Sequence, residues 1–532
     1  MDNFITRIRD NKRKEKIRSL WRKENTEKRN FKNIRGLFDQ LMKNKELNSY
    51  IDDQTFEDLN MEDVFCKLDR NYTTVGQHAL YKMLRTPLKD EKKLKLRDKY
   101  IQFLQDNPLE REKIQLQLYK IGKNKNDVFD LIWDKSNSNK GIRKLFYILP
   151  IINVLAIMSI FVLGLQRVLM WLIMLIAVDF MIHYKVQNIL DSYIGCISYL
   201  GSLIKGANNI GKLHIDELDE YITVLKKSSS GCKDIIRKAA LIGKADSTDI
   251  MAVLMEYVSI LFFVQERAYF SVLDKINTDE RKEQLKEIYY TLGELDALIS
   301  VASYRESLDS YCKPELEHRE MYIRADGLAH PLVENAVAND VCMSNKGIIL
   351  TGSNMSGKST FLRTVGVNAI LAQSIYTCTA KEYKSSYFNI MSSISPQDNL
   401  MSGKSYYFGE VEAMLRIIKG CNDKVPTLAL IDEIFRGTNP VERVSAALEI
   451  LKYLHNNNSL VVVATHDLEL TKLLDDIYDC YYFREEIENN EFKFDYLIKK
   501  GVSPTRNAIR ILKYLGYPDE IVDNAEKRIA EQ

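Results

Sequence analysis

The chain lacks an excess of charge of either sign, since 75 Lys and Arg residues stand against 73 Asp and Glu residues in 532. This balance excludes the strongly basic composition of a dedicated nucleic-acid coat protein, so an anionic partner would have to bind a local patch. The eight cysteines are widely spaced, with no CxxC pair and no Cys/His group at metal-ligand spacing. This pattern predicts reduced, cytosolic thiols.

The first 32 residues lack the apolar core of a signal peptide, so we expect the N-terminus to stay in the cytoplasm. Residues 2–32 hold twelve basic and five acidic residues, with apolar residues at loosely helical intervals. The pattern predicts a basic amphipathic helix or arm within residues 1–47. Two interpretations stay open: a solvated charged helix, and contact with anionic lipid or nucleic acid.

Two long apolar runs lie in the middle of the chain. Residues 145–165 carry no charge in 21 residues, and residues 168–184 carry one, Asp179, in 17. The first run reaches the roughly 20 residues that a helix needs to cross a bilayer, and the second is at the short limit. Joined at Gln166–Arg167, they predict a transmembrane helical hairpin over residues 145–184 that contacts membrane lipid. The alternative is a buried helical pair inside a large α-helical domain.

Basic residues flank this hairpin, at Lys135, Lys140, Arg143 and Lys144 before it and Lys185 after it. The positive-inside bias therefore predicts a membrane protein with two spans and both termini in the cytoplasm. A carboxylate within a span is costly, so we expect Asp179 to lie near the inner interface, pair with a neighbour or mark a partner helix. Residues 48–144 and 185–320 have helical periodicity, which predicts an all-α core and lever domain interrupted by the hairpin.

After residue 321, apolar runs alternate with helical stretches, as in a parallel sheet flanked by helices. Gly347–Leu350 predicts a strand that runs into TGSNMSGKST, residues 351–360. This is a complete phosphate-binding loop, in which backbone N–H groups converge on phosphates, Lys358 reaches the β and γ oxygens and Ser359 ligates magnesium. We therefore predict that ATP and Mg²⁺ are bound by Gly352, Ser353, Asn354, Met355, Ser356, Gly357, Lys358, Ser359 and Thr360.

Two further strands end in candidate catalytic residues. The run Leu428–Ile431 ends in Asp432 and Glu433, and the run Leu460–Ala464 ends in Thr465 and His466. A carboxylate beside the loop can hold the Mg²⁺ shell, and an adjacent one can polarise the attacking water. The predicted catalytic residues are Lys358, Glu433 and His466, and the predicted metal ligands are Ser359 and Asp432. The fold class is an α/β P-loop ATPase domain over residues 321–532, closed by a helical element and preceded by the all-α domain.

Together, these motifs resemble those of the MutS family. The resemblance extends over residues 51–144 and 266–532. Its segments are the P-loop and following helix (351–373), the signature SPQDNLMSGKSYYFGEVEAM (395–414), the Walker B and D-loop LALIDEIFRGTNP (428–440), the histidine switch VVVATHDLEL (461–470), the closing element (496–528), the start of the helical core (55–88) and the end of the lever (292–302).

The resemblance implies a homodimer of head-to-tail ATPase domains, in which each site is completed by the partner's signature segment. Gly403 and Ser405 would then approach the γ-phosphate bound by the opposite subunit, and residues 436–439 would line the interface. Hydrolysis would require dimer closure, so that nucleotide state controls the helical levers.

The sequence departs from the family pattern in several places. Only about 50 residues precede the helical core and they contain no Phe-x-Glu, so we expect no mismatch-reading domain. The hairpin falls about where the family carries its lever tips and DNA clamp. Ala336 stands near the position of the aromatic that stacks on the nucleotide base, which leaves adenine recognition open. We also expect no nuclease-like tail after residue 532.

These features predict a membrane-anchored MutS-like ATPase that couples hydrolysis to dimer closure and lever movement. One hypothesis is a DNA repair protein that binds mismatched or branched DNA. The other is a DNA-independent, membrane-bound mechanochemical switch acting on a protein or lipid partner. An ABC transporter is a weaker alternative, because it would need more spans and an LSGGQ-type signature where this chain has LMSGKS, residues 400–405.

Overall fold

A computed structural model describes residues 2–124, 128–133, 140–239, 257–318, 320–353, 356–394, 406–421, 424–488, 491–503 and 516–530. The chain divides into two compact units. The first comprises Met1–Glu46, Asp69–Lys82 and Tyr100–Ser303, and the second comprises Leu47–Leu68, Met83–Lys99 and Tyr304–Gln532.

The described helices are α1 (Asp2–Leu20), α2 (Phe31–Ile34), α3 (Gly36–Lys43), α4 (Asp53–Asp58), α5 (Met61–Leu68), α6 (Thr74–Arg85), α7 (Glu91–Asp106), α8 (Pro108–Ile121), α9 (Phe129–Ile132), α10 (Lys140–Leu163), α11 (Leu165–Ile210), α12 (Asp219–Gly231), α13 (Lys233–Ala239), α14 (Val264–Ile276), α15 (Asp279–Arg305), α16 (Lys358–Ile375), α17 (Tyr406–Gly420), α18 (Pro440–Asn456), α19 (Leu468–Leu473) and α20 (Asp519–Ala530). The strands are β1 (Glu315–Glu317), β2 (Tyr322–Leu328), β3 (Asn339–Ser344), β4 (Gly347–Thr351), β5 (Glu382–Ser386), β6 (Asn389–Ser393), β7 (Thr427–Asp432), β8 (Ser459–Ala464), β9 (Tyr478–Glu488) and β10 (Glu491–Lys500).

In the described residues of the first unit, helices are joined by turns and loops, and a buried carboxylate links two of these helices. Asp296 of α15 accepts hydrogen bonds from the backbone N–H groups of Tyr72 and Thr73, at 3.1 and 2.8 Å, just before α6 begins. Thr73 itself caps α6, because its hydroxyl accepts a hydrogen bond from the Gly76 N–H at 3.0 Å and donates one to Asp296 Oδ2 at 2.6 Å. Burial raises the pKa of Asp296 to about 7. Close approach of the helices also needs Gly293, because a Cβ there would lie 2.6 Å from the Val75 carbonyl oxygen.

The basic N-terminal helix is present as α1, and it packs on α8 of the same unit. Arg18 pairs with Glu112 at 2.5 Å, and the Arg111 guanidinium lies 3.5 Å from the centre of the Trp21 ring. Ile17 is buried, while most of the remaining helix is exposed. Residues 2–20 are therefore helical, and part of the charge of this helix is paired within the unit.

Helices α10 and α11 form a helical hairpin that turns at Gly164, with a φ of +79°. The predicted joint at Gln166–Arg167 is wrong, because both residues lie in the first turn of α11. Its segments Arg143–Leu163 and Leu165–Lys185 are long and apolar enough to cross a membrane, and only 22% and 11% of their most apolar windows are buried. Such exposure does not fit a helical pair buried in a core. Helix α11 continues to Ile210, well beyond residue 184, where the predicted hairpin ends.

The charged residue of the hairpin is paired. Asp179 is fully buried, and its Oδ2 accepts a hydrogen bond from Asn153 Nδ2 at 2.8 Å. The same amide group donates to the Leu261 carbonyl at 2.7 Å. One turn along α11, His183 Nδ1 lies 2.6 Å from Glu266 Oε1 of α14. Of the three expectations for Asp179, pairing with a neighbour is the one observed.

The second unit contains a six-stranded sheet in the order β10-β9-β4-β8-β7-β6 and a four-stranded sheet in the order β1-β5-β2-β3. In the larger sheet all neighbours are parallel except β9 and β10. Strands β4 and β8 are buried throughout, as expected for strands covered on both faces. The predicted parallel sheet is confirmed, while the antiparallel edge and the second sheet were not predicted.

Side-chain alternation places helices on both faces of the larger sheet. Leu430 packs against Gly366 of α16. A Cβ added to this glycine would lie only 2.4 Å from the Cδ1 atom of Leu430. The next residue, Ile431, belongs to the buried cluster that includes Met414 of α17 and Leu451 of α18. The sheet is thus a rigid central layer, and its strand ends are held at fixed separations.

Candidate nucleotide-binding site

The carboxyl ends of three neighbouring strands meet at one edge of the sheet. Leu350 pairs with Ala464, and Ala464 pairs with Asp432, so β4, β8 and β7 end level with one another. The ladder continues for one residue, because the Thr465 N–H donates to the Leu350 carbonyl and the Glu433 N–H donates to the Ala464 carbonyl, both at 2.9 Å. The predicted strands and their shared edge are confirmed.

Residues 351–360 form the predicted turn from strand to helix. Gly352 and Gly357 have φ values of +137° and +110°, which only glycine adopts without strain. A Cβ at Gly352 would also lie 2.8 Å from the Phe483 carbonyl oxygen. Helix α16 then begins at Lys358, so its first backbone N–H groups lie at this turn. Two of the predicted binding residues, Asn354 and Met355, lie outside the described residues.

The Lys358 side chain lies over the loop. Its ammonium group donates to the carbonyl oxygens of Gly352 and Ser353, at 2.8 and 2.7 Å. Ser356 is buried, and its hydroxyl donates to the same Ser353 carbonyl at 2.8 Å. These bonds hold the predicted phosphate-binding cation beside the strand ends.

The two predicted metal ligands are in direct contact. The Ser359 hydroxyl donates to Asp432 Oδ2 at 2.5 Å, although 73 residues separate them in the chain. Hydroxyl and carboxylate oxygens are hard ligands that suit Mg²⁺. The pair therefore brings together two oxygen atoms of the kind that bind Mg²⁺.

The predicted base, Glu433, has a left-handed backbone with a φ of +67°. Its Oε2 lies 2.8 Å from Arg436 Nε, and another nitrogen of the same guanidinium donates to the Asp432 carbonyl at 2.9 Å. Arg436 was expected at a dimer interface, but the structure also shows it bound to the candidate base of its own chain. This contact follows from the turn after β7 and was not foreseen.

A second carboxylate positions this turn. Glu410 of α17 is buried and accepts hydrogen bonds from the backbone N–H groups of Arg436 and Gly437, at 3.2 and 3.5 Å. Burial raises the pKa of Glu410, and the two backbone donors act in the opposite direction. Sequence reasoning did not single out Glu410, although its place in the signature segment was a usable signal. The remaining signature residues predicted to bind nucleotide, Gly403 and Ser405, lie outside the described residues.

His466 follows β8 at the same edge. Desolvation of the ring and the positive charge of Lys358 lower the pKa of His466 below its ordinary value. The next residue, Asp467, forms a two-point ion pair with Arg443 of α18, at 2.8 and 2.6 Å. This pair fixes the turn that carries His466. No local sequence motif predicts the Arg443–Asp467 ion pair, because its two residues come from different elements.

Two adjoining cavities lie at the loop. The polar one has a volume of about 630 Å³ and is lined by Ser353, Gly357, Lys358, Ser359, Thr360, Asp432, Glu433, Arg436, His466 and Tyr496. The other is mainly apolar, has a volume of about 320 Å³ and shares Gly357, Thr360 and Tyr496 with the first. Every described residue of the predicted catalytic and metal-binding set lies in the wall of the polar cavity.

The apolar cavity contains an unused donor. His330 Nδ1 accepts a hydrogen bond from the Leu332 N–H at 3.2 Å, so the neutral ring carries its proton on Nε2. Burial, together with the charge of Arg363, lowers the pKa of His330 to about 4. Its Nε2 is buried and has no hydrogen-bond partner among the described residues. Phe361, Phe483 and Tyr496 form the aromatic part of the wall, and the ring centres of the two phenylalanines are 5.9 Å apart.

Comparison with known proteins identifies relatives of this chain. Residues 348–532 match the family model described as MutS domain V, and this range contains the loop and all three strand ends. The chain is 26% identical over 508 residues to the DNA mismatch repair protein MutS of Fusobacterium nucleatum, which covers 86% of this chain. The chain belongs to the MutS family.

Other MutS relatives match a shorter part of the chain. The DNA mismatch repair protein MutS of Thermotoga maritima is 31% identical over 272 residues, and that of Clostridium kluyveri is 30% identical over 284 residues. These matches cover 49% and 50% of this chain. This MutS-family chain spans only part of its relatives' length: 56% of the Fusobacterium protein, 33% of the Thermotoga protein and 32% of the Clostridium protein.

Proposed function

We propose that this MutS-family chain binds ATP with Mg²⁺ at the P-loop and hydrolyses it to ADP and phosphate. The observation that supports this most directly is the Ser359–Asp432 contact of 2.5 Å in a polar cavity that also contains Lys358 and Glu433. A cation, a hard-oxygen pair and a second carboxylate at one helix N-terminus suit a magnesium triphosphate. The direct test is phosphate release from ATP by the purified chain, with and without Mg²⁺.

Each side chain has a distinct role in this proposal. Lys358 would neutralise the β and γ oxygens, and Ser359 and Asp432 would hold the metal ion. Bound Mg²⁺ would withdraw negative charge from the phosphate oxygens. Glu433 would accept a proton from the attacking water, which requires Arg436 to release its carboxylate. Neutral His466 would donate a hydrogen bond toward the terminal phosphate.

The apolar cavity suits the adenine base. Tyr496, Phe361 and Phe483 provide aromatic surface on which a base can stack. This arrangement would replace the stacking aromatic that is missing at Ala336. Competition between ATP, GTP and inorganic triphosphate for a fluorescent nucleotide tests it, and equal affinity for ATP and triphosphate would rule out a base site.

We further propose that the chain acts as a homodimer in which Gly403 and Ser405 complete the partner's site. The proposal rests on the family resemblance. Its test mixes two inactive variants, Lys358→Ala and Ser405→Ala, because only a mixed dimer contains one site with both residues intact. Random exchange would restore about one quarter of wild-type turnover. No recovery would mean that Ser405 acts in its own subunit.

The hairpin supports membrane attachment. Its tip is apolar and accessible: Phe161 is 89% exposed and Met170 is 81% exposed. We propose that residues 145–184 insert into the bilayer with both termini in the cytoplasm. The wild-type chain should remain with vesicles after an alkaline carbonate wash, whereas Phe161→Glu with Met170→Glu should reduce this fraction. Leu109→Glu is the matched control, since Leu109 is 72% exposed in the same unit but lies outside the hairpin. A wild-type chain that fractionates as soluble protein would overturn the proposal.

DNA is the partner favoured by the names of the relatives, each called a DNA mismatch repair protein. The exposed hairpin favours the second candidate, a membrane-bound switch that acts on a protein or lipid without DNA. Binding of duplex, mismatched and branched DNA at several salt concentrations separates them. If the chain binds these DNAs no more strongly than a peptide with the sequence of α1 does, the DNA hypothesis is rejected and the membrane-bound switch is favoured.

A further inference from the structure

Two cysteines of the second unit face each other across an isolated antiparallel bridge. The Cys312 N–H donates to the Cys378 carbonyl, and the Cys378 N–H donates to the Cys312 carbonyl, both at 3.0 Å. Residues that exchange both backbone bonds in this way have Cα atoms about 5.5 Å apart. That separation lies within the range of Cα distances found across disulfides.

The two thiols differ in environment. Cys378 is buried, whereas Cys312 is partly exposed and so can meet a small reagent from solvent. Burial raises the pKa of Cys378 well above its ordinary value. Hydrogen bonding from Cys378 lowers the pKa of Cys312, which increases its thiolate fraction. An accessible thiol of lowered pKa beside a second thiol is the usual arrangement of a redox-sensitive cysteine pair.

The surrounding structure holds the pair in place. Arg305 is buried and donates to the carbonyl oxygens of Ile375 and Tyr376, at 3.1 and 2.9 Å, and to the Thr377 hydroxyl at 2.8 Å. On the other side of Cys378, the Thr379 N–H donates to Asn368 Oδ1 at 2.8 Å. The segment that carries Cys378 is therefore fixed on both sides, and the thiols cannot readily move apart.

We propose that Cys312 and Cys378 are a site of reversible oxidation by hydroperoxides. The Cys312 thiolate attacks one peroxide oxygen, so that an S–O bond forms, the O–O bond breaks and the released oxygen takes up a proton. The Cys378 sulfur then attacks the Cys312 sulfur, an S–S bond forms, and the sulfenic oxygen leaves as water with the Cys378 proton. Overall, both thiols are oxidised and the hydroperoxide is reduced to an alcohol, or to water when it is hydrogen peroxide.

The bond would join the segment after α15 to the segment after α16, the helix that begins at the P-loop. It would close a loop between Cys312 and Cys378, which restricts the unfolded chain. We therefore expect the oxidised chain to unfold at a higher temperature than the reduced chain. This inference does not depend on ATP hydrolysis.

The test treats the folded full-length protein with hydrogen peroxide, blocks the remaining thiols with an alkylating reagent and maps tryptic peptides by mass spectrometry. We expect a cross-link between residues 306–319 and 364–381 that dithiothreitol removes. Cys342→Ser should leave the cross-link unchanged, since Cys342 is exposed on β3 and outside the pair. In Cys378→Ser, the sulfenic acid on Cys312 should persist and react with dimedone.

Three results would overturn the inference. In the first, both thiols can still be alkylated after peroxide treatment. In the second, Cys312 is oxidised to a sulfinic acid and no cross-link forms. In the third, the cross-link forms only after the chain is denatured. Each is read on the wild-type chain, so none depends on whether a serine variant folds.

Discussion

Replacing Glu433 by Gln isolates the proposed proton transfer from every other part of the site. The amide oxygen of Gln can still accept the hydrogen bond that Arg436 Nε makes at 2.8 Å, and the substitution leaves the left-handed backbone of this residue in place. The side chain therefore keeps its position and loses only its ability to take a proton. A general base contributes about 10²- to 10⁴-fold to a rate, which corresponds to about 3 to 5.5 kcal/mol of activation free energy.

We accordingly expect turnover in Glu433→Gln to fall by about 10²- to 10⁴-fold. ATP affinity should be kept or should rise, because a negative charge is removed from the phosphate cavity. The assay is steady-state phosphate release at saturating Mg-ATP from the chain in nanodiscs, with affinity measured by titration of a fluorescent ATP analogue. Glu469→Gln on α19 is the control, since that carboxylate is exposed outside the cavity wall. Turnover of Glu433→Gln close to wild type, with binding intact, would refute the base assignment.

Three further outcomes are expected. Lys358→Ala should weaken ATP binding at least about tenfold in the same titration, because the cation that faces the phosphates is lost, while Lys381→Ala at an exposed position should not. If the Tyr496 ring stacks on the base, Tyr496→Ala should weaken the binding of ATP by about 1–3 kcal/mol and leave the binding of inorganic triphosphate unchanged. The pKa of His330 is about 4 in the folded chain against an ordinary value of 6.5, so the unfolded chain binds an extra proton between these pH values. The contribution of His330 to stability should therefore fall by up to about 3 kcal/mol as the pH is lowered from 6.5 to 4. The difference between the wild-type chain and His330→Asn in urea unfolding at each pH measures it, because the opposite contribution of Asp296 is common to both chains.

The local part of the nucleotide site could be predicted from sequence because each motif is contiguous. Two glycines, a lysine and a serine within eight residues specify a strand-to-helix turn, and the helix begins at Lys358 as that pattern requires. The apolar run before Asp432 likewise predicts a buried strand with a polar end. Their mutual approach also followed from the sequence, since parallel neighbours present their carboxyl ends at one edge.

The contacts that position this site could not be predicted in the same way. Glu410 holds the turn at Arg436 from another helix, and Arg443 holds Asp467 across 24 residues. Neither pair has a fixed spacing, because hydrogen bonds between elements depend on how those elements pack. The partner of Asp179 also depends on how helices pack. Several environments for Asp179 could therefore be predicted from the sequence, but its hydrogen bond with Asn153 could not.

By itself, the sequence determined the secondary structure of the nucleotide-binding edge, the presence of a long apolar hairpin and the resemblance to the MutS family. These features depend on periodicity, composition and contiguous motifs, which are properties of the chain before it folds. Only the tertiary structure decided that Ser359 touches Asp432, that Arg436 engages Glu433 and that Cys312 faces Cys378. Each of these contacts joins residues whose separation is set by the packing of strands and helices, and that packing is the sum of many weak interactions spread over the whole unit.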